Sequence, residues 1–427
     1  MTLSKIRATF DITTKAFVRS KGKVFSKFLV DSVFGIIGSS SLNLSHISRS
    51  LERDSKTTVK HIHKRLTRNL GQYDVTGVKE SVQRKQARLI DDGTFIYFDP
   101  TDVVKPYGRR FEGLGLVPDG SQGHRLVKGY PIVSSIAIKN NEIIPLDLDI
   151  FSHQETPFDS KNQRHLYHID GISEMSGGRG VFVLDREFDG FAYIRHLQLR
   201  SISFIIRMTE QRKYYPYEVP GRNSYHRCDV IDKYSKVRTT GYFDLKVKDK
   251  LEKRVFRIEA TRVTLMSPID SDRALYLIRA KSKGLTLYLL TNLVDISPES
   301  LLVIFQAYLD RWKIEEYIRF VKQKYGLEKF QVLSLTRIRN LIQLLFISTV
   351  ILCRVSELGI SLSKTRSVLI NKAKRTYKLP QKLKFFLYMI ADGMAYILRT
   401  VSKKIMNMIK SNSEKVPKKQ LDLNFQS

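Results

Sequence analysis

Residues Ser297–Tyr325 read SPESLLVIFQAYLDRWKIEEYIRFVKQKY. Leu301, Phe305, Tyr308, Trp312 and Val321 recur at helical steps, as on a helix with one apolar face. Ser297 is placed to cap the start, Pro298 suits the first helical position, and no further Gly or Pro occurs before Gly326. The spacing predicts one long helix. Advancing about 100° per residue from Tyr308 puts Arg311 near ~300°, Glu315 near ~340° and Lys322 near ~320°. The four share a stripe roughly 60° wide, and Glu316 turns about 100° away from Glu315. One carboxylate flanked by two cations and a phenol suits a hard cation held beside phosphate groups. A solvated face laced with i,i+4 ion pairs has the same composition.

Upstream, the character of the chain changes near Arg88 from helical to alternating. The run TFIYFDPTDVV reads as a strand closed by Asp99, with a turn at Pro100. Strands at Tyr130–Lys139 and Ile143–Phe151, joined by Asn140-Asn141, complete an antiparallel meander. Beyond Gly177-Gly178, GVFVLDREF is apolar throughout its first half, as a buried central strand is, and ends at Asp185. A helix and a fifth strand at Ser203–Met208 follow. Ligands gather at the carboxyl ends of strands in such sheets, so Asp99 and Asp185 can share a metal. An Asp after a strand is also a common turn-former or cap. Asp102 lies an odd number of residues from Asp99 and faces the other side, whereas Asp189 lies one turn past Asp185 and could only assist.

These three parts together resemble one family. The spacing Tyr308-x2-Arg311-x3-Glu315-x6-Lys322 matches the Y-R-E-K signature of DDE transposases of bacterial insertion sequences, specifically the insertion sequence 4 family. The order of strands resembles their ribonuclease H-like fold. The resemblance implies an α/β protein with a ribonuclease H-like catalytic core, an inserted β-rich domain, and helical N-terminal and C-terminal regions. It implies that Asp99, Asp185 and Glu315 are the catalytic, metal-binding carboxylates. Tyr308, Arg311 and Lys322 would hold DNA phosphates. Two Mg²⁺ ions, with Mn²⁺ as a substitute, would serve in-line phosphoryl transfer. The enzyme would bind the terminal inverted repeats of its element, cleave the DNA and join the 3′ ends to target DNA, as a homodimer bridging two ends.

The implied organisation is a helical DNA-binding domain at 1–87, the first part of the core at 88–209, the insertion at 210–295, the second part of the core at 296–358 and a basic region at 359–427. In the first of these, Leu44, Ile47 and Leu51 mark one amphipathic helix and Val59, Ile62, Leu66 and Leu70 a second, a pair resembling a helix-turn-helix. Lys60, His61, Lys64, Arg65 and Arg68 lie off the apolar stripe of the second helix, and Lys60, Lys64 and Arg65 are its candidate DNA contacts. An ordinary helical hairpin with a basic solvated side fits equally well. In the insertion, Phe256, Ile258 and Ala260 alternate with polar residues, as do Leu285, Leu287 and Leu289. Some relatives carry there a Trp that stacks on a flipped base, but the single Trp of this chain is Trp312. Tyr214, Tyr215, Tyr217 and Tyr225 are alternative stacking platforms.

Composition points the same way. The 427 residues are enough for two to four domains, and the formal net charge of +31 suits a protein that neutralises a polyanion. From Ser361 onward fifteen Lys or Arg face three acids, and the tail after Lys410 reads as disordered. The most apolar stretch, Ile338–Val355, reads as a buried helix rather than a membrane span. Two cysteines are too few for a disulfide framework, and the N-terminus carries no secretory pattern, so a cytoplasmic, nucleoid-associated protein is expected. Two other functions use related features: a ribonuclease H-like nuclease or resolvase that joins no strands, and a domesticated regulator that binds DNA without catalysis.

Overall fold

A computed structural model describes residues 22–52, 57–119, 123, 125–155, 160–209, 212–217, 224–247, 250–265, 274–294, 296–357 and 387–399. They divide into two compact units, one of residues 80–319 and one drawn from residues before 80 and after 319.

The first unit is a mixed sheet with helices packed on it. Its core strands are β1 (Phe95–Val104), β2 (Gly115–Asp119), β3 (Arg125–Lys139), β4 (Glu142–Ile150), β5 (Val181–Leu184) and β6 (Ser203–Arg207). The lateral order β4-β3-β1-β5-β6 has an antiparallel meander on one side of β1 and two strands parallel to it on the other. That is a ribonuclease H-like core. The hairpin between β3 and β4 turns on Asn140 and Asn141, both at positive φ (51° and 62°), a conformation Asn tolerates. Helix α5 (Lys161–Ser176) stops at Gly177 in the left-handed region, which frees the chain to enter β5. Ile96 and Phe98 join Phe182, Leu184, Phe204 and Ile206 in one buried cluster. Tyr97, Val183 and Ile205 are buried as well, so the central strands are covered on both faces.

The strands that follow, β7 (Lys213–Pro216), β8 (Tyr225–His226), β9 (Val237–Val247), β10 (Lys250–Thr264), β11 (Leu275–Ser282) and β12 (Leu285–Thr291), continue this sheet. The join is antiparallel pairing of β12 with β6, Leu290 opposite Ile206. Helix α6 (Phe191–Leu199) links β5 to β6, and α7 (Arg227–Tyr234) lies between β8 and β9. Phe305 of α8 (Pro298–Leu309) packs on Phe243 and Phe256 with ring centroids 4.8 Å from each, fixing that helix to β9 and β10.

Two local expectations are corrected. The strand does not stop at Asp99: β1 runs through Pro100 to Val104, pairing with β3 throughout. Its pairing with β5 ends at Tyr97, so the proline lies where the strand is an edge on that side and its missing N–H costs no ladder bond. The long helix is also two helices, α8 and α9 (Trp312–Tyr325). Between them the bonding tightens to three-residue steps, from Arg311 N to Tyr308 O, Lys313 N to Asp310 O and Ile314 N to Arg311 O. The Asp310 carboxylate accepts from both Gln306 and Lys313 at 2.9 Å and anchors this turn. The start is as expected, with Ser297 and Ser300 bonding reciprocally and Pro298 in the first turn.

The second unit is helical. Helices α1 (Gly22–Ser39), α2 (Leu44–Glu52) and α3 (Val59–Gln72), which α4 (Thr76–Ala87) follows in the chain, bury Leu44, Ile47, Leu51, Ile62, Leu66 and Leu70 on their facing sides. Gly35 permits close approach of α1 to α2, since a Cβ there would lie 2.4 Å from Ile47 Cγ2. Asn340 of α10 (Leu335–Glu357) donates to the carbonyls of Leu70 and Tyr73 and accepts from Val75 N, satisfying the end of α3. By length and mean hydropathy α10 could cross a membrane, but 83% of that segment is buried within the fold. A helix at 387–399, α11, is tied to α1 by Arg399, which donates to Gly38 O. Apart from that helix, the basic region 359–427 and its tail lie outside the described residues.

Candidate active site

The sheet register brings the two aspartates together. Tyr97 of β1 stands opposite Val183 of β5 in parallel register. Two residues further on each chain are Asp99 and Asp185, and neighbouring strands run about 4.8 Å apart. Asp185 leaves the sheet at once: its backbone is extended, and its carboxylate caps the short 3₁₀ turn Arg186–Phe188 by accepting from Glu187 N at 2.8 Å. Asp99 stays in the strand with its side chain only 18% exposed.

Glu315 comes to this pair through Arg311, at the turn between α8 and α9. Arg311 donates to Glu315 Oε1 at 2.6 Å and reaches Asp99 Oδ1 at 3.5 Å, so one guanidinium links two carboxylates. Burial pushes the Asp99 carboxyl up to about 7; Arg311 opposes the rise, and Asp185, Glu315 and Glu187 add to it. Burial disfavours the charge on Arg311, but Asp99 first and then Glu315 more than compensate and hold it protonated. A single cation among this many acids leaves an excess of negative potential at Asp99.

Glu316 has a separate role, since its carboxylate accepts from Arg319 at 2.5 Å. Asp189 is structural too: it accepts from Thr209 N, Thr209 Oγ1 and Arg212 Nε and locks the segment after β6. Glu187, overlooked in the sequence, adds its charge to the field at Asp99 and pairs with Lys161 at 3.0 Å. Its position two residues past Asp185 was the available signal.

The remaining candidates are distributed. Tyr308 is buried in the last turn of α8, close enough to Arg311 to favour its charge. Lys322 lies two turns beyond Glu315 on α9 and pairs with Glu328 at 3.5 Å. On α3, Lys60 and Lys64 are exposed, while Arg65 pairs with the buried Asp31 of α1 at 2.6 Å. Of the tyrosines, Tyr214 is fully buried, Tyr217 carries the Arg262 guanidinium on its ring, and Tyr225 packs on Tyr234.

Asp99, Asp185 and Glu315 supply hard oxygen donors, and the Asp99 carboxyl, raised first by burial and further by the acids around it, is an oxygen ligand whose ionised form a divalent cation would favour, so the donor chemistry fits such an ion. Among the described residues no three His, Cys, Asp or Glu side chains converge in ligating positions. Arg311 lies between Asp99 and Glu315 instead.

The chain is similar in structure to a piggyBac transposase in a synaptic complex with hairpin DNA, at 11% identity and a TM-score of 0.43, over 99% of this chain and 84% of that one. It is also similar to the Drosophila P element transposase in a strand transfer complex, at 10% identity and a TM-score of 0.19, over 87% of this chain and 81% of that one. No curated protein matches in sequence. The family described as transposase DDE domain matches residues 84–351, more than half of the chain. The protein belongs to the DDE transposase domain family and is a DNA transposase.

Proposed function

We propose that this transposase is of the insertion sequence 4, Y-R-E-K type: it binds the terminal inverted repeats of its own element, cleaves the DNA there and joins the 3′ ends to target DNA. The observation that carries the reading is that Asp99 and Asp185 each lie two residues beyond the last parallel pair, Tyr97 and Val183, with Arg311 linking Asp99 to Glu315. Asp99, Asp185 and Glu315 would hold two Mg²⁺ ions, or Mn²⁺ in their place. When bound, such ions activate the attacking oxygen and stabilise the leaving one. Arg311 then exchanges its carboxylate partners for a DNA phosphate, the exchange that a planar cation between two acids is suited to make. Tyr308 lies near enough to Arg311 to favour its charge, and Lys322 meets the phosphate backbone further along α9. Lys60 and Lys64 are exposed contacts to the repeat, with Arg65 holding α3 to α1 through Asp31. Two copies bridging the two ends, acting on the nucleoid, complete the proposal.

The test is product analysis on DNA carrying the element's ends. The proposal expects cleaved ends and species in which a 3′ end is joined to target DNA. Cleavage with no joined species in Mg²⁺ or Mn²⁺ would favour a nuclease or resolvase, and binding without cleavage a regulator.

A further inference from the structure

The pairing of β1 with β5 ends before either aspartate is reached. Tyr97 and Val183 are its last partners, so the ladder between these strands does not extend to Asp99 or Asp185. Side chains join the two segments instead. Phe98, the residue before Asp99, meets Phe188 edge-on with ring centroids 5.7 Å apart. Phe188 closes the short turn that the Asp185 carboxylate caps.

Behind these two rings stands His165 of α5. Its ring lies 5.9 Å from that of Phe98 and 5.8 Å from that of Phe188, so it touches the segments of both aspartates. Tyr193 of α6 completes the group, with its hydroxyl 3.1 Å from His165 Nδ1 and its ring 4.9 Å from Phe188. All four side chains are buried. A histidine is a costly residue in this place. Its Nε2 is buried and has no hydrogen-bond partner among the described residues, which lowers stability relative to an apolar side chain. Burial pushes the imidazole down to about 3, and Lys161 and His168 push the same way, so the ring is neutral at any working pH. What it offers in return is a flat ring with a polar handle. The hydrogen bond to Tyr193 fixes its rotation, and the two rings stack at 18°.

We propose that His165 is a positioning residue for the metal-binding aspartates: oriented by Tyr193 and packed on Phe98 and Phe188, its ring sets the separation of Asp99 and Asp185. The proposal rests on the reading of these carboxylates as metal ligands and adds what spaces them beyond the end of the ladder.

The experiment titrates Mn²⁺ into the full-length, DNA-free protein and follows the free ion by electron paramagnetic resonance, with Tm measured on the same samples. His165→Leu, which keeps an apolar filling but no ring, should bind Mn²⁺ about tenfold more weakly, the low end for residues behind metal ligands. It should also need about ten times more Mg²⁺ for half-maximal cleavage, with the maximal rate recovered at saturation. Tyr193→Phe keeps the packing and removes only the hydroxyl that orients the imidazole, so it should weaken Mn²⁺ binding by a smaller factor. Ile169→Val, a trim one helical turn away in the same buried cluster, should lower Tm and leave metal affinity unchanged. Parental Mn²⁺ affinity in the folded His165→Leu and Tyr193→Phe variants would overturn the proposal, and Tyr193→Phe alone decides if His165→Leu does not fold. An equal loss in Ile169→Val would reduce the effect to general loosening of the core and overturn it as well. A parent that binds no Mn²⁺, or Asp99→Ala binding it as tightly as the parent, would instead overturn the reading of the carboxylates.

Discussion

Replacing Asp99 by Asn removes an ionisation that the folded chain resists. In the metal-free protein burial pushes this carboxyl from 3.8 up to about 7, against the opposing charge of Arg311. A carboxyl raised on folding holds its proton more tightly in the folded state than in the unfolded chain. Stability is therefore undiminished below pH about 4, declines as the pH climbs, and is reduced in full above about 7. At 1.36 kcal/mol per pH unit, the interval from 3.8 to about 7 corresponds to about 4 kcal/mol. Asn has nearly the same shape and does not titrate, and Arg311 keeps Glu315 as its partner. Asp99→Asn should thus match the parent near pH 4 and exceed its stability by up to about 4 kcal/mol at pH 8. Urea unfolding in EDTA, followed by circular dichroism from pH 4 to pH 8, reads the difference directly. Mg²⁺ at pH 8 should stabilise the parent and not the variant, because only the parent offers the carboxylate. Parallel pH profiles for the two proteins would refute the reasoning.

Asn340→Ala should cost about 3 kcal/mol, since it strands the carbonyls of Leu70 and Tyr73 and the N–H of Val75 in a buried place. Thermal unfolding measures it, and a loss below about 0.5 kcal/mol, the level of a neutral surface change, would contradict that accounting. Lys60→Glu/Lys64→Glu, at exposed positions of α3, should reduce preference for terminal-repeat DNA over random duplex in competition gel shifts without changing stability. An unchanged preference would move repeat recognition elsewhere.

The strands of the core were legible because their causes are local. Alternation marked β1, β3 and β4, the Asn140-Asn141 turn joined two of them, and an apolar run marked β5. What was not legible depends on distant partners. Pro100 can stay inside β1 only because β5 ends beside it, which no pattern within TFIYFDPTDVV reveals. The break between α8 and α9 contains no Gly or Pro; side-chain bonds from Gln306 and Lys313 to Asp310 accompany it. Arithmetic along one continuous helix therefore fails between Tyr308 and Glu315, although it holds within α9, where Glu315 and Glu316 do diverge. Arg65 looked like a surface cation because Asp31, its partner, is 34 residues away.

The most direct test of the central claim, that Asp99, Asp185 and Glu315 act as one site, is an in vitro cleavage and joining assay with four alanine variants. Asp99→Ala, Asp185→Ala and Glu315→Ala should each abolish both reactions while retaining end binding, because each removes an oxygen donor and leaves the DNA contacts in place. Glu316→Ala, which removes an ion pair with Arg319, should remain active. An inactive Glu316→Ala beside an active Glu315→Ala, with all four proteins folded, would contradict the account.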